Sequence, residues 1–151
     1  SNHKVISSLF IHISFIISTN CLWLTAKLKM AEHNDLGTQG ENLAKAYLEE
    51  KNYKILETNW RSGRAEIDII AMDGDCLVIV EVKTRSKEMV RKPQEAVGRK
   101  KQKLLVRAAG IYAEIINHDW EVRFDVIAIT KYKHPPKIEH IVDAFYPNWT
   151  W

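Results

Sequence analysis

Two strand-like runs meet at an Asp-Gly-Asp turn, and both carry charged groups among apolar neighbours. The first run is Ala65-Glu66-Ile67-Asp68-Ile69-Ile70 and the turn is Asp73-Gly74-Asp75. The second run is Cys76-Leu77-Val78-Ile79-Val80-Glu81-Val82-Lys83. Asp-Gly between apolar runs is a strong hairpin signal. Side chains alternate along a strand, so Glu66 shares a face with Asp68, and Glu81 with Lys83. A loop of Asp73-Gly74 sets Glu66 opposite Glu81. A loop of Gly74-Asp75 sets Asp68 opposite Glu81 and Glu66 opposite Lys83. Both registers predict one face for all four groups; a three-residue loop would separate the acids.

Facing carboxylates repel across a sheet. A hard cation such as Mg2+, which takes oxygen ligands and keeps several waters, removes that repulsion. The competing explanation is the wet face of an ordinary half-buried ribbon, with an acid paired to Lys83. Two features favour the metal. Cys76 to Val80 is continuously apolar, as in a strand covered on both sides, and Ile69-Ile70-Ala71 is apolar on both parities. Charges at the ends of doubly covered strands need a reason to be there.

Composition narrows the class. With 151 residues and 46% hydrophobic content the chain suits one domain with a full core. Cys21 and Cys76 form no disulfide framework, which suits a reducing, cytoplasmic setting. The histidines lack zinc spacing, and no Gly-rich phosphate loop or dinucleotide fingerprint is present, so no small-molecule cofactor is expected. The net charge of +3 comes from the N-terminal segment: residues 1–29 hold Lys4, Lys27 and Lys29 and no acid, leaving 19 basic against 19 acidic residues. The remaining charge is segregated. From Lys83 to Arg107 there are ten basic residues against Glu88 and Glu95. A basic tract beside an acidic cluster suits a metal-assisted phosphodiesterase, though a solvated helix face has the same composition.

Residues 1–29 read as a non-native or leader-like extension. Val5 to Leu24 has 13 apolar residues in 20, interrupted by Ser, Thr, Asn and His, which makes a poor membrane span. The domain is expected over 30–151. A helix is expected from Gly37, with Leu36, Gly40, Leu43, Ala44, Tyr47 and Leu48 on one stripe, Asn34 or Thr38 as cap, and Glu41 at the stripe's border. Tyr53 to Trp60 reads as a strand, and Arg61 to Arg64 as a turn. After the hairpin, a helix from Pro93 to about Asn117 is carried by Val97, Lys101, Leu104, Leu105, Ala108, Ile111, Tyr112, Ile115 and Ile116. Glu121 to Ile129 and Ile138 to Val142 read as strands, and an aromatic tail, Pro147 to Trp151, is expected to dock on the core or the lattice rather than stack on bases. The order is α-β-β-β-α-β-β, an α/β fold with a mixed central sheet flanked by helices.

The motifs resemble a known family. Gly40-Glu41-x-x-Ala44-x-x-Tyr47-Leu48, Tyr53-x-Ile55-Leu56-x-x-Asn59-Trp60-Arg61, Glu66-Ile67-Asp68-Ile69-Ile70, Val80-Glu81-Val82-Lys83-Thr84-Arg85 and Arg123-Phe124-Asp125-Val126-Ile127 are similar to the YraN family of uncharacterised bacterial proteins. That family is similar to the PD-(D/E)xK nuclease superfamily, which includes restriction endonucleases and archaeal Holliday-junction resolvases. One departure is Ala65, where the family usually has Gly before the Glu-Ile-Asp run.

The resemblance implies a restriction-endonuclease-like fold and a metal-dependent endonuclease. Asp68, Glu81, Lys83 and Glu41 match its catalytic positions. Asp68, Glu81 and Glu41, helped by Glu66, would bind one or two Mg2+ or Mn2+ ions. Arg61, Arg64, Arg85, Lys100, Lys101 and Gln102 are the expected nucleic-acid contacts, with DNA as the partner and cleavage that is structure-selective or weakly specific. Resolvases act as dimers, so a homodimer is compatible, but the sequence marks no dimer surface. The alternative is a non-catalytic nucleic-acid-binding or partner-binding protein on the same fold.

Overall fold

The computed structural model describes residues 35–85, 97–131 and 135–147. Residues 1–29, Asn34, Pro93 and the aromatic tail from Asn148 onward lie outside the described residues. The elements are α1 (residues 35–50), β1 (Lys54–Ser62), β2 (Ala65–Asp73), β3 (Cys76–Arg85), α2 (Arg99–Ile115), β4 (Val122–Thr130) and β5 (Lys137–Ile141). This is the expected α-β-β-β-α-β-β order of a restriction-endonuclease-like domain. Among the described residues no helix is long and apolar enough to cross a membrane.

The sheet order is β1-β2-β3-β4-β5. Neighbours are antiparallel except β3 and β4, which are parallel and joined through α2. A parallel pair requires such a crossover, and its helix covers one face of the sheet. Ile67, Ile70, Leu77, Ile79, Phe124 and Val126 pack there with Leu105, Ala108, Ala109 and Tyr112 of α2. On the other face Ala44 and Leu48 of α1 pack with Ile69, Ala71, Val78, Val80, Ile127 and Ile129. Coverage on both faces explains the unbroken apolar runs. Each large side chain fully buried here contributes about 1.5–3 kcal/mol.

α1 presents Gly40, Ala44 and Leu48 to the sheet, four residues apart. A Cβ on Gly40 would lie 1.7 Å from Thr84 Oγ1, so only glycine lets α1 lie this close to the end of β3. Thr38 lies inside α1 and is not its cap. Both helices stop at asparagines in the left-handed region, Asn52 at φ 66° and Asn117 at φ 52°. At α1, Tyr53 N–H donates to the Leu48 carbonyl at 3.0 Å and Asn52 N–H to Glu49 at 3.0 Å. At α2, His118 N–H donates to Ala113 at 2.8 Å and Asn117 N–H to Glu114 at 3.2 Å. These are Schellman closures, with Asn accepting the conformation that usually takes Gly.

α2 differs from expectation at both its start and its outer face. It begins at Arg99, not Pro93, because Gly98 is extended (φ −64°, ψ 151°). Its buried stripe is Leu105, Ala108, Ala109 and Tyr112, while Leu104, Ile111, Ile115 and Ile116 are exposed, Ile115 by 64%. The two small alanines give a narrow contact, and the sequence's apolar arc is wider than the sheet surface it meets.

The acid hairpin turns at Gly74-Asp75, with Asp73 opposite Cys76 and Ile69 opposite Val80. This is the second of the two expected registers. Strict alternation nevertheless fails once in β2. Ala65 and Ile67 pack on the α2 side, Ile69 and Ala71 on the α1 side, and Ile70 on the α2 side again. In β1, Asn59 lies between residues paired to Ile69 and Ile67, and it sits at φ 54°. A left-handed residue inside a strand twists the ladder locally. The expected common face for Glu66 and Asp68 is lost there: Asp68 goes with Glu81 and Lys83, and Glu66 does not.

Candidate metal and nucleic-acid site

The site forms where β2 and β3 part. Their ladder ends at Ile69 and Val80. Beyond it, Asp68 Oδ2 accepts the backbone N–H of Val82 at 2.7 Å, so a side chain takes over a bond the strand partner no longer makes. Glu81 follows Val80 on the α2 side and is 2% exposed. Lys83 Nζ lies 2.5 Å from Glu81 Oε1. Lys101 Nζ, from the first turn of α2, lies 3.2 Å from Glu81 Oε2, and it also donates to the Glu66 carbonyl at 3.3 Å. Although Lys101 is near, Glu81 Oε2 is buried and receives no aligned hydrogen bond. The ammonium compensates its charge without satisfying its directional need.

Burial pushes the Asp68 carboxyl up to about 6; the neighbouring Glu81 adds to the rise, the Val82 N–H and Lys101 oppose it, and Glu41 adds a little more. Glu41 stands in the second turn of α1, next to the close Gly40–Thr84 approach, and its Oε2 accepts from Asn59 Nδ2 at 3.0 Å. Asn59 is a residue that sequence reading assigned no role. Its signal was present: Asn tolerates left-handed backbone better than most residues.

The other expected residues divide. Glu66 Oε1 is held by Arg61 at 3.0 Å, on an exposed pair across β1 and β2. Arg64 and Lys100 are exposed, and so is Arg85 at the end of β3. Gln102 Nε2 donates to the Val97 carbonyl at 2.8 Å, tying down the approach to α2. Lys101, expected on a phosphate, touches Glu81. α2 opens with Arg99-Lys100-Lys101, no acid in its first turn and no side-chain cap. Cations at the positive end of a helix dipole are unfavourable unless an anion comes to them.

Asp68 and Glu81 suit a hard divalent ion: two converging carboxylates, one with a buried oxygen lacking an aligned donor. Among the described residues no three His, Cys, Asp or Glu side chains group as a metal cage. Mg2+ commonly takes one or two carboxylates and keeps waters for the rest.

A second polar cluster lies elsewhere. Asp125 of β4 is fully buried and accepts from Arg123 Nε (3.0 Å), His140 Nε2 (2.8 Å) and the Asp143 N–H (2.9 Å). Arg123 also reaches Asp73 at 3.1 Å and Tyr53 Oη at 2.8 Å. Burial alone would raise the Asp125 pKa; the His140 bond, Arg123 and the Asp143 N–H outweigh it and hold the carboxyl below its ordinary range. This network ties the hairpin tip to β4, β5 and the turn after β5. It explains the Arg-Phe-Asp motif structurally.

The model of an uncharacterised protein family, UPF0102, matches residues 40–129. The chain is similar to the UPF0102 protein of Flavobacterium psychrophilum, 53% identical over 78% of this chain and 98% of the relative. It is also similar to that of Bacteroides thetaiotaomicron, 51% identical over 78% and 98%, and that of Christiangramia forsetii, 53% identical over 78% and 98%. The matched span contains Gly40, Glu41, Asn59, Asp68, Glu81, Lys83 and Lys101, the residues from which the site is built. On these similarities the chain belongs to the uncharacterised protein family UPF0102.

Proposed function

We propose that this protein is a divalent-metal-dependent nuclease that hydrolyses phosphodiester bonds in DNA, with structure-selective or weak sequence preference. The observation that carries this reading is the meeting of Asp68 and Glu81 where β2 and β3 part, with the Lys83 ammonium beside them. A purely structural ion pair does not require a second buried carboxylate near enough to raise the pKa of the first.

Asp68 and Glu81 would hold one Mg2+ or Mn2+ ion, and Glu41, though bonded to Asn59, lends its charge to the site. When bound, such an ion would supply polarisation of a phosphoryl oxygen and a water of lowered pKa. Lys83 is placed to meet negative charge developing on the phosphate. Arg64, Lys100 and Arg99 are exposed cations on the turn between β1 and β2 and the start of α2, and they suit phosphate contacts that position the strand without reading bases.

The test is incubation with linear, flapped and branched DNA, and with RNA, in Mg2+ or Mn2+. Asp68→Ala and Lys83→Ala are expected to abolish cleavage with native circular dichroism retained. A protein that cuts none of these and takes up no Mn2+ in calorimetry refutes the reading.

A further inference from the structure

We propose that Lys101 is an internal counter-ion that a divalent cation displaces from Glu81, so that metal loading frees an ammonium group for the incoming phosphate; this rests on the metal-site reading above. The two lysines on Glu81 are not equivalent. Lys83 lies two residues along the same strand, with its Nζ 2.5 Å from Oε1. Lys101 comes from α2, lies 3.2 Å from Oε2, and fails to give that buried oxygen an aligned hydrogen bond. Its side chain is 36% exposed against 2% for Glu81, so it has a path to solvent that the carboxylate lacks.

Charge explains the exchange. Immediately around Glu81 the carboxylates of Asp68 and Glu81 and the ammonium groups of Lys83 and Lys101 make a balanced cluster, with Glu41 outside this set, held by Asn59 and acting on Asp68 more weakly than Glu81 or Lys101. A low-dielectric site requires such balance. Adding a divalent ion would leave it with two excess positive charges. Turning Lys101 outward removes one, and the remaining charge matches one phosphodiester. Lys101 sits in the same turn as Arg99 and Lys100, where the helix start already attracts anions. Once released, it would add to a phosphate-binding surface. Lys101 is therefore a positioning residue that couples metal uptake to substrate binding.

The experiment is calorimetric titration of the full chain with Mn2+ alone, without nucleic acid. Lys101→Met keeps the apolar stem and removes the competing charge. It is expected to bind Mn2+ about tenfold more tightly than the wild type, an effect of about 1.4 kcal/mol. A lysine without electrostatic influence on Glu81 would leave the affinity unchanged or weaken it. A lysine that repels the ion without moving would also give tighter binding. It is told apart by a Lys101 ammonium resonance that stays in place when Mg2+ is added to the wild type, a result that overturns the displacement. Unchanged or weaker Mn2+ binding in a natively folded Lys101→Met protein overturns the proposal while leaving the metal site standing. Failure of both wild type and variant to bind Mn2+ overturns the metal site and this proposal together. Should Lys101→Met not fold, Mg2+ titration of the wild type followed by NMR of the lysine ammonium groups decides the matter. Movement of the Lys101 resonance to that of a solvated lysine sustains the displacement, and a Lys101 resonance that stays in place overturns it.

Discussion

Asp68 is the residue whose environment works most against its own ionisation. Its carboxyl is raised from 3.8 to about 6, chiefly by burial and then by Glu81. A raised folded pKa favours the protonated form in the fold. The resulting stability is present below the unfolded value and is lost as pH rises through 6. Two units correspond to about 3 kcal/mol at most. Urea unfolding of the metal-free protein from pH 4 to 7.5 should show this decline, and Asp68→Asn should lack it. A cation bound between Asp68 and Glu81 reverses the sign, so Mg2+ is expected to stabilise the wild type at pH 7.5 and to leave Asp68→Asn unmoved. If the two proteins have the same pH profile, the carboxylates are not coupled as described.

At the scale of elements, the position of α1 is decided by one missing methyl group. Gly40 faces Thr84 so closely that Ala at this position must move the helix, the strand end or both. Overpacking of this kind costs about 1–3 kcal/mol. Gly40→Ala is expected to lower the urea midpoint accordingly, and Thr84→Ala in the same chain to recover part of the loss by removing the nearest atom. Because Glu41 is the next residue, Gly40→Ala should also disturb the Glu41–Asn59 bond. A Gly40→Ala protein with wild-type stability would show that the contact yields easily. The second element-level feature is the change of face in β2, where Ile67 packs on the α2 side and Ile69 on the α1 side. Asn59, at positive φ, lies across from this point in β1, and the β1–β2 register itself shifts further along, between Ile55 and Glu57.

At the scale of the whole molecule, the Asp125 network holds together parts far apart in sequence. It joins Tyr53 before β1, Asp73 at the hairpin tip, Arg123 in β4, His140 in β5 and Asp143 beyond it. Asp125→Ala would leave Arg123, only 15% exposed, without its buried partner. Breaking such a pair from one side costs about 3–5 kcal/mol. Chemical denaturation at pH 7 should show that loss. The pH signature of Asp125 is opposite to that of Asp68. A depressed folded pKa gives stability present above the ordinary carboxylate range and lost as pH falls through the lower folded value. An Asp125→Ala protein with wild-type acid stability would remove the network from the account of the fold.

Much of this molecule was legible in the chain. The apolar periods and turn signals gave the order of elements, alternation within β3 put Glu81 and Lys83 on one face, and the Asp-Gly-Asp turn restricted the hairpin to registers that bring Asp68 to that face. Those are local properties: backbone sterics, side-chain alternation and hydrogen-bond closure act over a few residues. The chain alone did not reveal that the alternation of β2 would break between Ile67 and Ile69 and that Glu66 would pair with Arg61. It did not show that Lys101 would reach Glu81, or that Leu104, Ile111 and Ile115 would stay exposed. Nor did it show that Asp125 would draw Arg123, His140 and the Asp143 backbone to itself. Each depends on residues brought close only after helices and strands have packed, where desolvation and the partners then available decide what a charge will bind.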